Sequence, residues 1–166
     1  MKIKFTLLIC TLLLIQGFAR ADNTDNITSA IQKLKKLPAD YTYQLANSIR
    51  VYADRYNLPP LLIVMIVFKE SSFRVGVVGD HGRSTGLMQT GRLAKRFCRS
   101  DCKTATSQVD REICEGSCWF AHARNVCKGS IRAGLTMYAS GRCRAATRRT
   151  YWLVKQRLKL WEGLRR

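Results

Sequence analysis

Residues 61–73 read LLIVMIVFKESSF. Eight apolar residues run from Leu61 to Phe68, and Asn57-Leu58-Pro59-Pro60 ahead of them is a helix start, with Asn as a candidate cap and Pro favoured in a first turn. A helix that is apolar all round is buried on most sides, so this segment is expected to form a core helix running to about Glu70. The one carboxylate falls at the carboxyl end, where the helix dipole disfavours negative charge. Phe68, Phe73 and Met88 are available to keep water from it. Each influence works against the ionised form, so Glu70 is expected to hold its proton to a higher pH than an ordinary glutamate. That is the requirement for a general acid near neutrality. Most helical glutamates are solvated members of weak ion pairs, and these surroundings set Glu70 apart.

The pattern on either side is also helical. Pro38-Ala39-Asp40 supplies a start, after which Leu45, Ile49, Tyr52 and Tyr56 recur at helical spacing to about Asn57. The stretch 72–85 holds Gly76, Gly79 and Gly82 and reads as a loop or short irregular strands. Helical spacing returns over 90–97, across a cysteine-containing hairpin, and over 125–138. Over 148–161, Tyr151, Val154, Leu158 and Trp161 form one stripe, with Lys155, Arg157 and Lys159 elsewhere on a basic amphipathic helix. The expected fold is mainly α, one domain, with at most a small β element.

Before Asp22, Lys2 and Lys4 lead into an apolar run, Phe5 to Phe18, closed by Ala19-Arg20-Ala21. This predicts a cleaved signal peptide over 1–21, leaving a domain over 22–166 exported to the periplasm or secreted. At about 14 residues the run is shorter than the roughly 20 a spanning helix needs. Of the 29 basic and 11 acidic residues, three basic and no acidic ones lie in that segment, so the remainder carries a formal charge of +15. A field of that sign attracts polyanions, an anionic cell-wall or membrane surface among them. The basic residues are spread without a recognition element for nucleic acid, so no specific nucleic-acid partner is expected.

Six cysteines follow the apolar leader: Cys98, Cys102, Cys114, Cys118, Cys127 and Cys143. In an exported chain an even number reads as a disulfide framework; the rival is a four-cysteine zinc site. Cys98 and Cys102 lie four apart, as do Cys114 and Cys118, so each pair shares a helix face. If the two helices form an antiparallel hairpin, partners across it have equal index sums. That selects Cys98 with Cys118 and Cys102 with Cys114, leaving Cys127 for Cys143. No cofactor or metal is expected.

YNLPPLLIVMIVFKESSF followed by GLMQ at 86–89 resembles the catalytic core of the soluble lytic transglycosylase domain, which belongs to the lysozyme-like superfamily and is related to goose-type lysozyme. NVCKGSIRAGLTMY and TRRTYWLVKQRLKLW resemble two later helices of that family, so the likeness spans roughly Tyr56 to Trp161. It implies a lysozyme-like fold and cleavage of the bond between N-acetylmuramic acid and N-acetylglucosamine in peptidoglycan glycan strands, by a monomer. By the same resemblance Glu70 is the sole catalytic acid and then base. Ser71, Gly86, Leu87, Met88 and Gln89 position or line the substrate site, and Tyr138 orients Glu70. Substrate acetamido participation and attack by the sugar's own C6 hydroxyl would give 1,6-anhydro ends, removing the need for the second carboxylate that glycoside hydrolysis normally uses.

The chain departs from the family where Tyr-Asn-Ala-Gly becomes Tyr138-Ala139-Ser140-Gly141, and where Arg83-Ser84 stands ahead of GLMQ. Three other readings compete. A hydrolytic lysozyme of the same fold would use Asp80 or Asp101 to hold a water. A cationic protein that binds peptidoglycan or anionic membranes would need no catalysis. A Ser/His/Asp hydrolase assembled from Ser71, Asp80 and His81 lacks the glycine pattern of a nucleophile elbow.

Overall fold

A computed structural model of the chain describes residues 24–145 and 147–166; the expected signal peptide lies outside them. The first helix, α1, covers residues 24–34 and sets Ile27 and Ile31 in the core. Gln32 clamps the turn that follows by donating to the Leu37 carbonyl and to Thr42 Oγ1. Pro38 then opens α2, Ala39–Arg55, whose Leu45, Ile49, Tyr52 and Ala53 recur on one face and are buried.

Helix α3, Pro60–Ser71, is the core helix the sequence calls for: Leu62 through Val67 are all buried. Each such side chain contributes about 2 kcal/mol of transfer free energy. Asn57 does not cap it. That residue adopts a left-handed conformation (φ 50°) beyond α2, and Pro59 stands at the α3 N-terminus without a side-chain cap. At the other end Ser72 and Phe73 are left-handed as well, with φ of 52° and 61°, a conformation that costs non-glycine residues about 1 kcal/mol or more. Two long-range bonds hold the turn there: Lys35 Nζ donates to the Ser72 carbonyl (3.1 Å) and Tyr41 Oη to that of Phe73 (2.6 Å). They fix the exit of the helix that carries Glu70.

The glycine-containing segment forms three two-residue strands, β1 (Val78–Gly79), β2 (Ser84–Thr85) and β3 (Thr90–Gly91), antiparallel in that order. Val78 pairs with Thr85 and Ser84 with Gly91. Helices α4 (Arg92–Cys98) and α5 (Gln108–Val126) follow, tied by Cys98–Cys118 and Cys102–Cys114. The third bridge joins Cys127 to Cys143, so all three pairings match the hairpin reading.

The helix expected over 125–138 is two helices. Lys128 and Gly129 turn left-handed (φ 58° and 79°), and Ser130 caps α6, Ile131–Ser140, by accepting from the Ala133 N–H. The break lets α6 fold back on α5 so closely that a Cβ on Gly134 would stand 3.0 Å from Arg124 Cα. Thr147 caps α7, Arg148–Leu164, which packs against α3 and α6. Buried residues from α1, α2, α3, α5, α6 and α7 form one hydrophobic cluster with Leu87 and Met88. The chain is thus mainly helical, with a small antiparallel element and three disulfides.

Candidate functional site

Glu70 lies in the last turn of α3 with its side chain 17 % exposed, and its Oε1 accepts a hydrogen bond from Arg157 Nη2 at 2.5 Å. The partner arrives from α7, 87 residues later. Arg157 is only 8 % exposed, and its second terminal nitrogen, Nη1, has no acceptor among the described residues. Trp161 Nε1, one turn further along, has none either. The sequence pattern set Arg157 with Lys155 and Lys159 off the apolar stripe, and the structure corrects this: Arg157 is buried on α7. Val154, Arg157, Leu158 and Trp161 occupy i, i+3, i+4 and i+7, so the guanidinium belongs to the stripe that faces α3. That spacing was the available signal. A cation on an inward stripe calls for a buried anion, and Glu70 is the carboxylate on the helix opposite.

Burial pushes the Glu70 carboxyl above the ordinary glutamate range. Arg157 pulls the other way through its charge and its hydrogen bond without cancelling that rise, and the negative charge of Asp80 adds to it. Tyr138, on α6, lies within electrostatic reach of the same carboxylate. Burial first and Glu70 second push its phenol well above the usual range. The Tyr138 hydroxyl does not bond Glu70, however; it donates to the Met88 carbonyl at 2.6 Å. It therefore ties α6 to the turn carrying GLMQ.

The other residues expected at the site are held by the loop and the core. Ser71 is 2 % exposed and gives its hydroxyl to the Val67 carbonyl of its own helix (3.1 Å), which also removes it as a nucleophile for His81 and Asp80. Leu87 and Met88 are fully buried core residues. Gln89, left-handed at φ 48°, spends its whole amide on the loop: Nε2 donates to the Val77 and Gly86 carbonyls, and Oε1 accepts from Ser84. At Gly86 the close neighbour is Glu112: the glycine's φ is +84°, and a Cβ there would stand 2.7 Å from the Glu112 carboxyl carbon.

Glu112 was missed in the sequence. Lying 8 % exposed on α5, it accepts from the backbone N–H of Leu87 (2.8 Å), from that of Gly76 (3.2 Å) and from Gln108 Nε2 (2.9 Å). A charged acceptor thereby collects two loop N–H groups that strands of two residues cannot satisfy. Its signal was again periodicity, since Val109, Glu112, Ile113 and Gly116 share one helical stripe.

Asp80 lies in the loop beside the site and accepts from Ser84 Oγ at 3.1 Å. Asp101 belongs to another region: its carbonyl accepts from Arg55, and its charge acts on Tyr56. His122 stacks in an aromatic group with Phe97 and Trp119, and His81 lines a basic pocket described below. Chemically, the arrangement supplies one shielded carboxyl that holds its proton to a higher pH than an ordinary glutamate, with one oxygen steadied by a guanidinium. No protein-family model matches this chain, and no curated protein is significantly similar to it.

Proposed function

We propose that this chain is a lysozyme-like, peptidoglycan-cleaving enzyme that acts as a lytic transglycosylase through Glu70. The observation carrying the reading is a single part-buried carboxyl at the end of a core helix, raised above its ordinary pKa by burial and held at one oxygen by Arg157. With Oε1 engaged, Oε2 is the oxygen that carries the transferable proton. It protonates the glycosidic oxygen between N-acetylmuramic acid and N-acetylglucosamine while the sugar's acetamido carbonyl supports the developing cation at C1. The C6 hydroxyl of the same sugar then attacks C1 and returns its proton to Glu70, closing a 1,6-anhydro ring. Arg157 acts through Glu70 as a positioning residue. Burial alone would make the carboxyl a poor acid, and the adjacent cation stabilises the anion formed when the proton leaves.

The setting that goes with this reading is an exported monomer working on glycan strands, drawn to anionic wall or membrane surfaces by its positive charge. A second reading, hydrolysis, draws support from Asp80, whose charge reaches Glu70 and whose carboxylate is able to hold an attacking water. The experiment that separates them treats purified peptidoglycan sacculi with the oxidised protein and with Glu70→Gln, and identifies released muropeptides by mass spectrometry. Anhydromuramyl ends from the wild type alone are the expected result. Reducing ends, heavier by one water, replace transglycosylation with hydrolysis; sacculus binding by both proteins without product leaves a cationic wall-binding protein.

A further inference from the structure

Helix α4 lies beside β2 and β3 and bounds a pocket of about 910 Å³. Arg92, Lys95 and Arg96 line it from the helix, Arg99 from the C-cap position directly after it, where the backbone stays helical, and Arg83 from the loop. The four helical cations stand at i, i+3, i+4 and i+7, so a single stripe of α4 presents nothing but positive charge to this cavity. Like charges four apart destabilise a helix by a few tenths of a kcal/mol per pair, and here there are two such pairs, Arg92 with Arg96 and Lys95 with Arg99.

Lys95 is accounted for internally. It donates to Thr85 Oγ1 and stands 4.0 Å from Glu115, pinning α4 to β2. The four arginines have no carboxylate partner among the described residues, and Arg83 Nε reaches only the Asp80 carbonyl. A merely solubilising surface would leave such cations scattered, whereas these converge on one concavity whose floor includes Thr85 and Thr90.

We propose that this pocket binds a phosphate-bearing group of two or more negative charges, a phosphomonoester or pyrophosphate. Guanidinium forks match phosphate oxygens two at a time. A single carboxylate, with one charge and two oxygens, would leave most of the four arginines uncompensated, whereas a phosphate monoester brings about two charges on three oxygens and a diphosphate more of both. The volume admits the phosphate together with the sugar or lipid backbone that bears it. Two sources share this chemistry. One is a phosphorylated lipid headgroup, for which Leu93 (70 % exposed) and Phe97 (53 % exposed) on the adjoining side of α4 offer apolar contact. The other is a soluble phosphorylated sugar or diphosphate. Glu70 is not among the residues lining the pocket, and the proposal holds whether or not the chain cleaves peptidoglycan.

The test is calorimetric titration of the oxidised protein with sodium pyrophosphate at physiological ionic strength. Saturable binding at one site is expected, weakened roughly tenfold or more in the Arg92→Gln/Arg96→Gln double variant, as the loss of charge-assisted hydrogen bonds requires. The Arg148→Gln/Arg149→Gln variant removes equal charge from exposed positions at the start of α7 and should bind as the wild type does. Equal weakening in both variants, or no saturable binding, overturns the proposal. Co-sedimentation with vesicles containing phosphatidic acid, compared with vesicles of matched charge containing phosphatidylserine, identifies the source. A preference for phosphatidic acid that disappears in Arg92→Gln/Arg96→Gln assigns a lipid headgroup; pyrophosphate binding without that preference assigns a soluble ligand.

Discussion

Replacing Arg157 with Met removes a buried cation while keeping most of the side chain's bulk, and the consequence depends on pH in a way the geometry dictates. Arg157 and Glu70 meet at 2.5 Å, with side chains 10 % and 17 % exposed. Orphaning one member of a buried pair costs about 3–5 kcal/mol when the remaining charge cannot be relieved. Glu70 can relieve it by taking up a proton, since its folded-state pKa is already raised by burial and loses the one influence that lowers it. A raised folded pKa contributes stability that is complete below the unfolded value and is lost as pH rises through the folded value. In Arg157→Met that loss reaches further up the scale than in the wild type. At pH 4 the variant should therefore lie within about 1.5 kcal/mol of the wild type, a packing effect only. By pH 8 the deficit should approach about 3 kcal/mol. The assay is urea unfolding followed by tryptophan fluorescence across pH 4–8 on oxidised protein; groups that titrate alike in both proteins cancel in the difference. The Glu70→Gln/Arg157→Met double variant has no charge to strand and should recover stability at pH 8 relative to Arg157→Met. A deficit that does not change with pH, or a double variant whose losses simply add, would refute the pairing as described.

Two further predictions concern the scaffold. Glu112→Ala strands the Leu87 and Gly76 N–H groups beneath the loop and should cost about 3 kcal/mol in denaturant unfolding, given that a hydrogen bond to a charged group contributes about 1.5–3 kcal/mol. Glu112→Gln, which keeps one acceptor, should cost clearly less. Removing the Cys127–Cys143 bridge opens a loop with a sequence separation of 16. Cys127→Ser/Cys143→Ser should then lower stability by about 3 kcal/mol, measured against wild type under the same oxidising conditions.

Much of this molecule was legible locally. Periodic apolar residues and proline starts place α2, α3 and α7, because a helix face repeats within a few residues and needs no distant information. The same spacing carries the disulfide pairing, since two pairs four apart on an antiparallel hairpin leave the last two cysteines no other partner. Glu70 stands out for the same reason, as the one carboxylate at the end of an apolar helix. How the other residues around Glu70 are held was not legible in the sequence. Ser71, Leu87, Met88 and Gln89 sit beside the expected chemistry, yet their polar groups and bulk are taken up by the loop and the core. Among the described residues seven non-glycines adopt positive φ, and Ser72, Phe73 and Gln89 do so against their own propensities. Long-range bonds from Tyr41 and Lys35 hold the turn at Ser72 and Phe73.

From sequence alone come a helical, disulfide-bonded chain of high positive charge and one suspect carboxyl, because periodicity, cysteine spacing and composition are properties of the chain itself. Only the tertiary structure decided what that carboxyl touches. Arg157 meets Glu70 because α7 packs its inward stripe on α3, and the arginines of α4 acquire a shared cavity because β2 and the loop close its other side. A side chain's electrostatic environment belongs to the elements that surround it, and no local pattern specifies which helix will arrive.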